Sequence, residues 1–144
     1  MKYVSTRNRD AAGVCLADAI VAGLAPDGGL YIPDAMPHVD ADALVGSDQA
    51  QVARAVLEAF RDDASPSTAD AITHAYQWPV RLADIGDHTE LLELYWGPSS
   101  AFKDYGAQFL AHYLTSLDVN AKRRVTVMVA TSGDTGGAVA AAFW

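Results

Sequence analysis

The chain has 144 residues, 51% of them hydrophobic, and its 18 acidic against 10 basic side chains give a formal net charge of -8. That length can bury a real core in an ordinary globular domain, and the acidic balance argues against nucleic acid or an anionic membrane as the main partner. A single cysteine, Cys15, excludes an intrachain disulfide framework; no apolar run reaches a membrane span and no signal pattern opens the chain, so a cytoplasmic protein is expected.

Residues Lys2 to Ser5 predict a short edge strand. From Val14 to Ala22, the spacing of Leu16, Ala19 and Ile20 predicts a helix closed by Gly23, with Cys15 in its core face. Pro26-Asp27-Gly28-Gly29 is a turn by composition, and Leu30-Tyr31-Ile32 a short extended piece. Pro33 to Ser47 is loop-like. Asp48 and Gln51 have the spacing of a capping box ahead of a helix carrying Val52, Ala53, Val56, Leu57 and Phe60. Ser65 then predicts the cap of a second helix, with Pro66 at its first position and Ile72, Ala75 and Tyr76 on its buried side. Arg61, Asp62 and Asp63 read as a solvated turn. The four histidines, His38, His74, His88 and His112, have no metal-ligand spacing, and no metal is expected.

Near residue 90 a mostly helical part, 1–90, gives way to β-then-α alternation over 91–144. Leu91-Leu92-Glu93-Leu94-Tyr95-Trp96 and Val125-Thr126-Val127-Met128-Val129-Ala130 flank a helical pattern running from Tyr105 through Phe109 and Tyr113 to Leu117. This predicts a βαβ unit, hence an α/β fold with a parallel sheet, with residues 122–124 as a wet turn. Lys103 falls in the first turn of that helix, embedded in apolar sequence. Desolvation and the positive helix end would both oppose its charge, leaving the neutral amine that Schiff-base chemistry needs. The competing expectation is a stem along the surface with its ammonium in water. Thr131-Ser132-Gly133-Asp134-Thr135-Gly136-Gly137, before an alanine-rich helix, offers hydroxyls and unpaired N–H groups to a carboxylate or phosphate. The ends of parallel strands can bring this loop and Lys103 to one ligand.

Gly97-Pro98-Ser99-Ser100-Ala101-Phe102-Lys103-Asp104, together with Thr131-Ser132-Gly133-Asp134-Thr135-Gly136, resembles threonine synthase. Tyr3-Val4-Ser5-Thr6-Arg7 and Gly23-Leu24-Ala25-Pro26-Asp27-Gly28-Gly29-Leu30-Tyr31-Ile32-Pro33 are similar to the opening of the same family. The resemblance implies a pyridoxal-phosphate enzyme of fold type II, similar to the tryptophan synthase β-subunit, that converts O-phosphohomoserine and water to threonine and phosphate. It implies Lys103 as the Schiff-base lysine and proton carrier, Phe102 and Asp134 beside the coenzyme, and Ser99, Ser100, Thr131, Ser132, Gly133 and Thr135 on the substrate. Within that set, Thr131 to Thr135 match the segment that grips the substrate carboxylate. Ser99 stands where the motif commonly has threonine, and keeps a hydroxyl that can donate to a ligand phosphate or carboxylate. Asp134 stands where related enzymes often carry asparagine.

The resemblance divides the chain into an N-terminal α-rich domain, 1–90, and the beginning of the coenzyme-binding domain, 91–144. Family members continue further, with the glycine loop for the coenzyme phosphate and the group facing the pyridine nitrogen. The chain is therefore expected to be an N-terminal piece, inactive alone, with an apolar patch that favours self-association. Another fold type II lyase, of the threonine dehydratase kind, and a non-catalytic folded fragment remain as alternatives. Asp134-Thr135-Gly136 is also an aspartic-protease triplet, but that chemistry needs an all-β frame and a second carboxylate. Gly133, Gly136 and Gly137 do not have the G-x-G-x-x-G dinucleotide spacing.

Overall fold

A computed structural model describes residues 1–117 and 126–144. The predicted turn at 122–124 and Val125 lie outside the described residues. The chain forms two compact units, Met1–Thr68 and Ala69–Trp144.

In the first unit, β1 (Tyr3–Ser5) pairs antiparallel with β2 (Tyr31–Pro33), setting Tyr3 opposite Pro33 and Ser5 opposite Tyr31. The intervening turn is held by Asp27, whose Oδ1 accepts from Ser5 Oγ at 2.7 Å and from Gly29 N at 2.9 Å. Helix α1 spans Leu16–Ala22 and closes on Gly23 at φ 70°, the left-handed conformation that glycine adopts without steric cost. Cys15 is its N-cap, not a core residue, and its Sγ accepts from Asp18 N at 3.4 Å. Two further N–H groups at this end are taken by side chains distant in sequence. Leu16 N donates to Asp62 Oδ2 at 2.6 Å and Ala17 N to Ser65 Oγ at 3.0 Å. The expected solvated turn at 61–63 is therefore wrong for Asp62, which is buried because it caps another element.

Helix α2 (Gln49–Ala59) opens with the predicted capping box: Gln51 N donates to Asp48 Oδ1 and Asp48 N to Gln51 Oε1, both at 2.8 Å. Near its end, Glu58 Oε1 accepts from Thr68 N at 2.9 Å and from Thr68 Oγ1 at 2.7 Å, and Oε2 accepts from Arg61 Nε. With Ser65 engaged at α1 and Thr68 at Glu58, the next helix starts later than predicted, as α3 (Ala69–Ala75). Burial alone would raise the Glu58 pKa. The donors from Thr68 and Arg61 outweigh it and hold the carboxyl at about 2, against an ordinary 4.5. A depressed acid stabilises the fold above its unfolded pKa and loses that contribution as the pH falls from 4.5 towards 2. Partial exposure keeps the contribution to about 2 kcal/mol. Glu58→Gln is accordingly expected to lower the melting temperature at pH 7, with the gap to the parent closing below pH 3; a gap independent of pH would contradict the linkage.

The second unit continues from α3 into β3 (Arg81–Asp84) and β4 (Glu90–Glu93), an antiparallel hairpin with Leu82 opposite Leu92. Its loop passes through Gly86, Asp87 and His88, all at positive φ. Helix α4 (Lys103–Ser116) packs on both α3 and α5 (Asp134–Phe143). Small side chains line the contacts: Ala71 and Ala75 on α3, Ala107 and Ala111 on α4, Ala138 on α5, with Ile72 and Tyr113 fully buried. The buried residues of α4 are Asp104, Ala107, Gln108 and Ala111, one i, i+3, i+4, i+7 stripe, together with Tyr113, the member of the predicted aromatic stripe that is fully buried. Alanines let helix axes approach closely; Phe109 instead stacks on Tyr113 at 5.5 Å.

The βαβ expectation is met in its helix and not in its pairing. Residues 126–130 are exposed and have no ladder partner among the described residues, while β4 pairs with the overlooked β3. The expected boundary at residue 90 falls within that hairpin.

Candidate functional site

The segment leading into α4 is built on a glycine and a buried acid. Asp104, in the first turn, is fully buried, and its carboxylate turns back to accept from Ser99 N at 2.9 Å and Ser99 Oγ at 2.7 Å. A Cβ on Gly97 would fall on Asp104 Oδ2, and 2.8 Å from Asp104 Cβ, so the chain passes the carboxylate only because residue 97 lacks a side chain. Ser100 N donates to Gly97 O at 3.0 Å, and Ser100 itself is held at φ 57°, an uncommon conformation for serine.

The approach to this turn is fixed by Glu93, which accepts from Tyr95 Oη at 2.6 Å and Trp96 Nε1 at 3.0 Å, with the Arg81 guanidinium 4.3 Å from the Trp96 ring centroid. These hydrogen bonds hold the Glu93 carboxyl below its ordinary range.

Lys103 is half-buried, and its Nζ lies 3.9 Å from the centroid of the Phe102 ring. It faces an open cavity of about 550 Å³ between α4 and α5. Of the described side chains lining that cavity, only Lys103, Tyr105 and Thr135 carry polar atoms; Leu94, Phe102 and Val139 are among the rest. Burial, helped by the Asp104 charge and opposed by Trp78, pushes the Tyr105 phenol above its ordinary pKa, so it is neutral at physiological pH. Tyr105 is braced by Tyr76, stacked at 6.1 Å, and by Trp78, edge-on at 5.7 Å.

The second loop runs into the start of α5, beside the first loop. Gly133 sits at φ 148° and donates its N–H to Thr131 Oγ1 at 3.2 Å. A Cβ on Gly136 would lie 2.5 Å from Thr131 Cγ2, so glycine there lets the loop fold over the helix start. Helix α5 has no side-chain cap, and its first N–H groups have no intrahelical acceptor. A Cβ on Gly137 would lie 3.9 Å from Ser99 Cβ, which makes the two loops neighbours.

Lys103, Phe102 and Thr135 thus share one cavity, and Ser99 borders the start of α5. Thr131, Ser132, Gly133 and Asp134 are exposed and, with Ser100, lie outside the cavity lining. Sequence reasoning passed over Asp104 and Tyr105 as site residues. An acid placed directly after the lysine, and an aromatic one turn from apolar neighbours, were the available signals. The His74 and His112 rings approach to 5.1 Å on α3 and α4, and burial, with His74 nearby, lowers the His112 pKa against the opposing effect of Asp70. Among the described residues no group of three or more acidic, histidine or cysteine side chains could hold a metal ion, and no helix is long and apolar enough to cross a membrane.

Residues 2–76 match the threonine synthase N terminus. Threonine synthase of Serratia marcescens is 38% identical over 136 residues, and that of Escherichia coli 35%; each alignment covers 91% of this chain and 31% of the relative. A solved threonine synthase from Brucella melitensis, with PLP bound, superposes with a TM-score of 0.87 at 40% identity over 99% of this chain and 33% of that one. The Escherichia coli structure gives the same TM-score at 33% identity. The described α/β fold is therefore that of the fold type II threonine synthases, and the chain spans about a third of the length of the curated relatives it matches.

Proposed function

This chain belongs to the threonine synthase family, and from that premise we propose that the protein carrying it is a PLP-dependent lyase converting O-phosphohomoserine and water to L-threonine and phosphate, the last step of threonine biosynthesis, in the cytoplasm. The observation that carries the reading is the single cavity faced by Lys103 from α4 and Thr135 from α5. The residues fit the coenzyme: a primary amine at the mouth of a space walled by Leu94, Phe102 and Val139 suits a flat aromatic aldehyde. Pyridoxal phosphate, when bound, supplies an electron sink for the carbanions formed at the substrate carbons.

The chain's own residues supply the rest. Lys103 holds the coenzyme through its Nζ, with Phe102 and Asp134 beside it, and then carries protons to and from the substrate carbons. The Thr131–Thr135 segment, with Ser132, Gly133 and the N–H groups opening α5, receives the substrate carboxylate, as helix N-termini favour. Ser99 and Ser100 border the substrate from the other loop. The division into an N-terminal α-rich domain, 1–90, and the start of a coenzyme-binding domain, 91–144, belongs to the same proposal.

The test is borohydride reduction after incubation with pyridoxal phosphate, followed by peptide mass mapping, in a protein of family length that carries these residues. The expected result is coenzyme mass on Lys103, with equal release of phosphate and threonine from O-phosphohomoserine. Coenzyme mass on Lys2 or Lys122 and none on Lys103 would refute the assignment.

A further inference from the structure

We propose that Asp104 is a positioning residue that sets the direction of the Ser99 hydroxyl proton, making Ser99 Oγ an acceptor towards whatever binds beside it. The inference rests on the site reading above for what binds there, and reverses the donor role that the resemblance suggests for Ser99. The argument is one of hydrogen-bond inventory. An ionised carboxylate only accepts, and a hydroxyl has one proton and two lone pairs. Asp104 places one oxygen 2.9 Å from Ser99 N and the other 2.7 Å from Ser99 Oγ, so both contacts carry protons from Ser99 to Asp104.

Three features lock this pairing. Asp104 is fully buried, so water does not compete for its oxygens. Gly97 lacks the Cβ that would fall on Asp104 Oδ2, so the backbone at residue 97 passes close beside the carboxylate. The first turn of α4 stabilises a negative charge at this position. Ser99 Cβ in turn borders Gly137 at the start of α5. The Ser99 hydroxyl therefore meets a ligand with lone pairs alone. The group it receives is a hydrogen-bond donor, an ammonium or hydroxyl, and not a phosphate or carboxylate oxygen. Anionic groups are left to the N–H groups of α5 and to Thr135.

Asp104→Asn separates this role from bulk packing. The amide keeps the shape, its oxygen still accepts from Ser99 N, and its NH2 now donates to Ser99 Oγ, which turns the serine proton outward. The probe is inorganic phosphate, titrated by calorimetry into the family-length protein without turnover. In the parent, Ser99→Ala should leave phosphate affinity within about twofold, because no proton was being donated to it. Asp104→Asn should tighten phosphate by about fivefold or more, as a new donor to a charged group would, and Ser99→Ala added to it should cancel the gain. On turnover of O-phosphohomoserine, Asp104→Asn should lower kcat/KM by about tenfold, with Ser99→Thr active and Ser99→Ala impaired.

Unchanged phosphate affinity in Asp104→Asn, a gain that survives Ser99→Ala, or absence of phosphate binding in parent and variant alike overturns the proposal. If Asp104→Asn does not fold, Ser99→Ala decides alone: a fivefold or greater loss of phosphate affinity shows that Ser99 donates, and an unchanged affinity with impaired turnover shows that it accepts. Failure of the coenzyme to attach to Lys103 would remove the enzymatic reading, while the phosphate titration would still report on Ser99.

Discussion

Lys103→Ala in the family-length protein is expected to abolish borohydride-stable coenzyme attachment and to lower kcat for phosphate release by at least about 10³-fold, the scale of losing a positioned proton carrier. Only three lysines occur in the chain, Lys2, Lys103 and Lys122, and among them Lys103 faces the cavity between α4 and α5. Its alkyl stem runs from the first residue of α4, so its root is fixed by the helix while its end lies over the Phe102 ring. Lys103→Arg should do no better, since guanidinium stays protonated and forms no Schiff base. The melting temperature should change little in either variant, because among the described residues the half-buried side chain rests its ammonium on the exposed ring of Phe102. Retained turnover with the coenzyme mapped elsewhere would move the site away from this helix.

The second large effect is expected at Gly97. Gly97→Ala puts a methyl against a carboxylate that cannot retreat, because Asp104 is fully buried and holds Ser99 through two hydrogen bonds. Overpacking of this kind costs about 1–3 kcal/mol, or roughly 5–15 °C in melting temperature for a unit of this size. The strain falls on the turn bearing Ser99 and Ser100, so substrate handling should suffer beyond the loss of stability. Gly106 is the control: a Cβ there meets nothing within 4 Å, and its helical position makes Gly106→Ala neutral or mildly stabilising. Equal melting temperatures for the two alanine variants would show that the carboxylate moves aside freely.

Local patterning carried the elements whose partners are close in sequence. The Asp48 and Gln51 capping box, the Gly23 helix end and the long helix after Lys103 are each decided within a few residues, and each appears as the spacing predicts. Legibility failed where a side chain serves a distant element. Asp62 and Ser65 look like the punctuation of their own turn, yet they cap α1 from more than 40 residues away, and this delays α3. The β3–β4 hairpin was hidden by exposed apolar residues such as Leu82 and Leu92, whose faces alternate without a buried side to mark the period. At the candidate site, motif spacing drew attention to Lys103 and the Thr131–Thr135 loop, of which Lys103 and Thr135 line the cavity. It passed over Asp104 and Gly97 because their contribution is a packing relation, a missing methyl beside a buried acid, which residue types alone do not express.

The capping of α1 also has a consequence for how the first unit moves. A helix of seven residues would ordinarily fray from its ends on its own. Here its opening N–H groups are shared among Cys15, Asp62 and Ser65, and Asp62 is in turn bound to Ser65 Oγ at 2.9 Å and Ala64 N at 2.9 Å. Unwinding the first turn of α1 releases the 62–65 loop, and loosening that loop uncaps the helix. Opening at this end is consequently a joint event of two segments far apart in the chain, rarer and more concerted than the fraying of a short helix, and its frequency is set by the loop as much as by the helix itself.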